Sequence, residues 1–140
     1  MKPRYVIDTG PIVALLNAAE KHHAWTVARI KEHQAPFSTC EAVISETLHL
    51  LEQTPRGVDR LLALLERGFL RVDFTLNDQL LPLAKLLRRY ANLRMSLADA
   101  CLVRMTELDE RAGVFTLHCD FLVYRKNSRQ MIPLLLPAKP

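Results

Sequence analysis

The sequence predicts an α/β fold with a mostly parallel, roughly five-stranded sheet covered by helices on both faces, on two observations. Short apolar runs of β type alternate along the chain with stretches of helical apolar spacing, the pattern of strands joined by crossover helices. Polar residues follow two of those runs immediately: Asp8 after the first, and His118 and Asp120 after a later one. Sheets of this kind place their sites at the C-terminal ends of strands.

The elements follow in order. Tyr5-Val6-Ile7 is a short buried strand that ends at Asp8. Thr9-Gly10-Pro11 turns the chain, and Pro11 suits the first position of a helix running to about Asn17. A second helix is expected from near His22 to about His33, then a short extended piece at Ala35-Pro36-Phe37. Ser38-Thr39-Cys40-Glu41 reads as a capping box that opens a helix to Glu52. Thr54-Pro55 opens another, in which Val58, Leu61, Leu62 and Leu65 share a face and Gly68 is the stop. Phe69 to Phe74 alternates with the period of a strand. Leu80, Leu83, Ala84 and Leu87 mark the next helix, with Pro82 near its start. Ser96-Leu97-Ala98-Asp99 is a second capping box, and Leu97, Cys101, Met105 and Leu108 give its helix an apolar stripe. Gly113 to Leu117 is a strand, and Met131 to Leu136 a last one, placed at a sheet edge by Pro133. Leu136 to Pro140 reads as a frayed end.

A chain of 140 residues favours one domain, spanning 1–140, and 49% hydrophobic residues are enough to fill its core. The longest apolar runs fall far short of the roughly 20 residues of a bilayer span. The opening Met1 to Asp8 is too short in apolar residues for a signal peptide, so a soluble cytoplasmic protein with no membrane association is expected. Three cysteines, Cys40, Cys101 and Cys119, with no CxxC, suggest neither a disulfide framework nor a zinc site, and Cys101 reads as a small core residue. A net charge of +4 is mild but tolerates a polyanionic partner. Neither a Gly-rich phosphate loop nor a GxSxG motif is present, which leaves nucleotide and serine hydrolysis without support.

The acids carry the chemistry. Asp8 sits where a strand meets a turn, as a cap or as a ligand. On the helical wheel Val43, Ile44, Thr47, Leu50 and Leu51 form a buried arc with Glu46 at its margin. A carboxylate there needs a cation or arginine beside it, unless its head reaches water. Asp99 is in capping position, favoured by the helix dipole, which is compatible with a ligand role. Asp120, taken singly, is an ordinary loop aspartate. Two unit charges about 4 Å apart repel by roughly 4 kcal/mol at an effective dielectric of about 20, so converging acids call for a bound cation or proton. Hard divalent cations such as Mg²⁺ and Mn²⁺ take such oxygen ligands.

In sequence order these residues resemble the motifs of the PIN-domain ribonucleases. Val6 to Leu16 is similar to the family's opening, Ser45-Glu46-Thr47-Leu48 to its helical glutamate motif, Met95 to Ala100 to its third acidic motif, and Thr116 to Phe121 to its fourth. The resemblance covers nearly the whole chain. It implies an α/β/α sandwich and an endoribonuclease dependent on Mg²⁺ or Mn²⁺. Such proteins are often VapC-type toxins of a toxin–antitoxin pair, dimeric and held inactive by an antitoxin. Carried over, Asp8, Glu46 and Asp99 match the three main acids. The fourth motif departs from the family pattern, with His118 where an aspartate is usual. Either Asp120 supplies the missing carboxylate, or His118 ligates in its place, which suits Mn²⁺ better than Mg²⁺. His118 as a plain loop histidine would instead fit a weakened, PIN-like module that binds RNA or protein without cutting.

Two basic stretches are open to a surface reading or an RNA reading: Arg88, Arg89 and Arg94, and Tyr124 to Arg129, whose aromatic ring could stack a base. His22, His23 and Trp25 show no metal spacing, and Trp25 reads as a core or dimer contact.

Overall fold

The computed structural model describes residues 4–138. Its elements run β1 (Arg4–Ile7), α1 (Thr9–Leu16), α2 (His23–Glu32), β2 (Phe37–Thr39), α3 (Glu41–Leu50), α4 (Gly57–Glu66), β3 (Leu70–Val72), α5 (Leu80–Arg89), α6 (Leu97–Leu108) and β4 (Ala112–Phe115). Two short strands, β5 (Arg125–Lys126) and β6 (Gln130–Met131), pair as an antiparallel hairpin before β7 (Leu134–Leu135). Single 3-10 turns cover Leu76–Gln79, Ala91–Leu93 and Cys119–Leu122.

The main sheet has five strands in the order β3-β2-β1-β4-β7, and every neighbouring pair is parallel. From β1 the chain steps outward to β2 and β3, then returns to the other side of β1 with β4. Parallel crossovers are right-handed in nearly all proteins, so this reversal moves the connecting helices to the opposite face. The result is the expected three-layer α/β/α sandwich. It also makes the gap between the ends of β1 and β4 the switch point of the sheet, where such folds open a crevice.

The core lies on both faces of β1 and β4. All four residues of β4 are buried, as are Val6 and Ile7 of β1. The half-buried Trp25 of α2 meets Phe115 of β4 edge to face, with ring centroids 5.8 Å apart, and so packs against the core. Helix α6 packs against β1, β4, α3 and α5, and is buried on most sides. The expected stripe therefore holds for Cys101 and Met105, whereas Leu97 and Leu108 at the two ends are 42% and 53% exposed. Likewise Leu50 lies outside the buried arc of α3, at 56% exposure. Cys40 and Cys101 are buried free thiols and Cys119 is exposed.

Some boundaries differ from the sequence reading for visible reasons. Ser38 and Thr39 belong to β2, and α3 starts after them with Cys40 as a cap that makes no side-chain bond. Their hydroxyls are spent on neighbouring strands: Thr39 Oγ1 donates to the Ile7 carbonyl at 2.7 Å and Ser38 Oγ to Asp73 at 2.9 Å. Helix α1 begins at Thr9 with Asp8 as its cap, which puts Pro11 at the third position, where a backbone N–H also lacks a helical partner. Helix α4 begins at Gly57, because Thr54 and Gly57 first close successive turns onto Leu51 and Thr54. The last apolar segment is split. Met131 pairs with Arg125, and only Leu134–Leu135 joins the main sheet, at its edge. Of the expected frayed end, Lys139 and Pro140 lie outside the described residues, while Pro137 is buried. Among the described residues no helix is long and apolar enough to cross a membrane.

The edge strand approaches β4 closely at Gly113. A β-carbon there would fall on the Pro133 carbonyl and within 3.0 Å of the Tyr5 ring. That carbonyl accepts the Val114 N–H at 2.9 Å. Gly113→Ala should therefore loosen β7 and lower stability by about 1–3 kcal/mol, the usual range for overpacking, read as a fall in the thermal midpoint.

Candidate functional site

The register of β1 and β4 builds the site. Ile7 faces Phe115, and the Asp8 N–H continues the ladder onto the Phe115 carbonyl at 2.9 Å. Asp8 and Thr116, the next residue on each strand, thus stand side by side. Thr116 Oγ1 donates to Asp8 Oδ2 at 2.7 Å, and the Thr9 N–H donates to Oδ1 at 2.8 Å. Asp8 is thus both the cap of α1 and a buried carboxylate, 2% exposed, at the switch point. The corner is closely packed at Gly10, where a β-carbon would lie 3.1–3.2 Å from the Leu117 side chain and push it by a few tenths of an ångström.

Two more acids are tied to this corner. Thr9 Oγ1 donates to Glu46 Oε2 at 2.9 Å, which links α1 to α3. Glu46 itself is exposed, so its head does reach water, and the bond from Thr9 rather than a burial penalty marks it. Asp99 lies in the first turn of α6, its N–H donating to Ser96 Oγ at 3.0 Å. Only that half of the predicted capping box forms. The Asp99 carboxylate instead receives the Tyr124 hydroxyl on Oδ2 at 2.9 Å. Tyr124 is a buried residue, 1% exposed, packed edge to face against Tyr90 and Phe121 at 5.0 and 5.4 Å, so it offers no ring for base stacking.

The electrostatics show which groups face one another. Burial pushes the Asp8 carboxyl above its usual range and the Asp99 charge adds to this, while the bonds from Thr116 and Thr9 and the nearby His118 oppose it. Burial also raises the Tyr124 phenol, followed by Asp99 and then by the charges of Asp120 and Asp8. Three acids therefore act on one phenol. His118 and Asp120 are both exposed in the turn after β4, and the His118 N–H donates to Thr116 Oγ1 at 3.0 Å. His118 acts on Asp8, Asp120 on the Tyr124 side of the site.

Among the described residues no ion pair with Lys or Arg involves any of these acids. Nor do three His, Cys, Asp or Glu side chains draw close enough there to form a ready cage for a metal. The donors are carboxylate and hydroxyl oxygens, the set that hard divalent cations take, and Mg²⁺ in particular uses few carboxylates along with water and phosphate. A separate cleft of about 1110 Å³ opens where β1 and β2 begin, and Asp8, Glu46, Asp99 and Asp120 are not among its lining residues.

Sequence alone assigns no role to Thr9 or Thr116, and for Tyr124 it suggests base stacking rather than the bond to Asp99 that the fold gives it. A hydroxyl one residue past a strand end was the available signal for Thr116, and one residue past Asp8 for Thr9. For the bond from Tyr124 to Asp99 there is no local signal, because the two lie 25 residues apart.

The profile of the PIN domain matches residues 5–112. The chain belongs to the PIN domain family. The match takes in Asp8, Glu46 and Asp99 and stops before the Thr116–Asp120 turn. The fold of this PIN protein is similar to the crystal structure of Mycobacterium tuberculosis VapC20, a toxin that cleaves the sarcin-ricin loop. The two share 19% identity with a TM-score of 0.76 over 92% of this chain and 99% of that one. Among curated proteins, none matches this chain.

The raised Asp8 pKa has a testable sign. A carboxyl whose folded pKa exceeds its unfolded value near 3.8 binds more protons when folded, so its ionisation destabilises the fold as pH rises through and above that value. In chelator at neutral pH, Asp8→Asn should raise the thermal midpoint, by about 4 °C per kcal/mol relieved. The gain should shrink as pH falls toward 4. A variant no more stable than the parent at neutral pH would contradict this.

Proposed function

We propose that this PIN protein is a metal-dependent endoribonuclease that hydrolyses RNA phosphodiester bonds, and that it is the toxin of a toxin–antitoxin pair. The observation that carries this reading is the buried Asp8 carboxylate, fixed at the switch point within reach of the Asp99 charge, with no lysine or arginine ion-paired to either among the described residues. The likeness in fold to an RNA-cleaving toxin supports it.

In this reading Asp8 and Asp99 hold the cation, Mg²⁺ or Mn²⁺. Glu46, exposed and bound on one oxygen by Thr9, holds it directly or through water. Asp120 or His118 completes the site. A divalent cation bound there supplies Lewis acidity toward the phosphodiester and the attacking water. Thr116 and the Thr9 N–H fix the two oxygens of Asp8, and Tyr124 fixes one oxygen of Asp99. These neutral donors orient the acids without cancelling their charge. The chain acts as one domain over residues 1–140, in the cytoplasm, as a homodimer held in check by an antitoxin protein.

The second reading, a PIN-like module that binds RNA or a protein partner without cutting, is favoured by a single observation: His118 stands where the fourth motif usually has an acid.

Cleavage of RNA by purified protein in Mg²⁺, Mn²⁺ and chelator separates the two. Activity is expected only with metal, and Asp8→Asn should lose more than the roughly 10–100-fold typical when a partner of a metal ligand is removed. Thr116→Val should fall within that range. Comparing His118→Ala with Asp120→Asn identifies the fourth ligand by which one changes the Mn²⁺ preference. A folded protein that cleaves no RNA with either metal, and is not stabilised by them, would favour the binding module.

A further inference from the structure

The charge of the chain is unevenly placed. Residues 79–98 and 121–140 hold eight of its nineteen Lys and Arg and none of its fifteen Asp and Glu, which leaves the rest of the chain with eleven cations and fifteen acids. The first of these segments ends at Asp99 and the second begins after Asp120, so each borders an acid of the candidate site.

The fold stitches the two segments together. Arg89, at the end of α5, donates to the Ser128 carbonyl in the β5–β6 hairpin at 2.7 Å. The Arg125 N–H donates to the Tyr90 hydroxyl at 2.9 Å. The residue before Arg125 is Tyr124, whose hydroxyl sits on Asp99. The basic surface and the acidic corner are therefore adjacent, joined through one side chain. Arg125 is occupied by carbonyls of its own turn, with Leu122 at 2.8 Å. Arg88, Arg94 and Arg129 are exposed and form no ion pair among the described residues.

Acids that gather a cation repel a polyanion, and a substrate backbone needs attraction nearby to offset this. Arginine suits phosphate because its planar fork donates in pairs. Resting on the endoribonuclease reading, we infer that the surface formed by the end of α5, the loop before α6 and the β5–β6 hairpin grips the phosphate backbone of RNA beside the bond to be cut. Arg88, Arg94 and Arg129 are its free contacts.

The test measures binding, not cleavage. A short fluorescein-labelled RNA of mixed sequence is titrated in chelator, and its affinity is read by anisotropy over a range of KCl concentrations. In Arg88→Gln/Arg94→Gln/Arg129→Gln the slope of log affinity against log salt should flatten by about 2, at about 0.7 per lost phosphate contact on a single strand. The matched control is Arg4→Gln/Lys31→Gln/Arg67→Gln, whose residues line the clefts where β1 and β2 begin. It should keep the parent's slope. All six positions are exposed, and the fold of each variant is checked by circular dichroism. An unchanged slope in the first triple, or an equal flattening in the control, would overturn the inference while leaving a metal-dependent cleavage result intact. Polyglutamate displacing RNA at equal charge concentration would reassign the surface to an acidic peptide. Retained RNA binding by a protein that cleaves nothing would support the surface and count against the nuclease reading.

Discussion

The hydrogen bond from Thr116 to the buried Asp8 carboxylate is the contact on which the arrangement of the site depends. It exists only because β1 and β4 pair in parallel with Ile7 opposite Phe115. A slip of one residue would turn the side chains of either strand to the other face and separate the hydroxyl from the acid. A desolvated carboxylate left without donors is strongly destabilising, so the bond also selects the register that makes it. Thr39 reinforces the same corner from β2 by bonding the carbonyl of Ile7, the residue just before the acid. Three neighbouring strand ends are thus held by two threonine hydroxyls.

The same device recurs around the site. Thr9 holds Glu46, Thr116 holds Asp8 and Tyr124 holds Asp99, each through a neutral hydroxyl. An arginine would hold a carboxylate more firmly but would also neutralise it. Hydroxyl donors leave the negative potential available to a cation. The Coulombic strain between Asp8 and Asp99 that remains is a cost in stability, of the kind active sites often carry. The exposed Arg88, Arg94 and Arg129 lie on the adjoining flank and form no ion pair with the acids among the described residues.

Much of this could be read from the residues, and the limits have physical causes. The strand and helix order followed from apolar spacing, because periodicity is set by local burial. Asp8, Glu46 and Asp99 were singled out by position, and the fold brings them to one corner. The Ser38 capping box was misread because a hydroxyl serves a neighbouring strand as readily as a helix end, and local spacing does not show which partner is nearer. The full stripe on α6 was over-extended because a helix packed on several sides exposes its ends rather than one face. Tyr124 was out of reach for a related reason: its role comes from a contact between the hairpin and α6, which only the tertiary fold creates.

The acid and the hydroxyl at the heart of the site lie 108 residues apart in the chain. Synthesis makes Asp8 well before Thr116 and Tyr124. A chain that has not reached β4 has no Thr116 to complete the corner and no Tyr124 to hold Asp99. While it is still being made, the chain therefore lacks a complete site. For a protein whose proposed target is RNA, activity then waits until the segment from β4 to Tyr124 has been added.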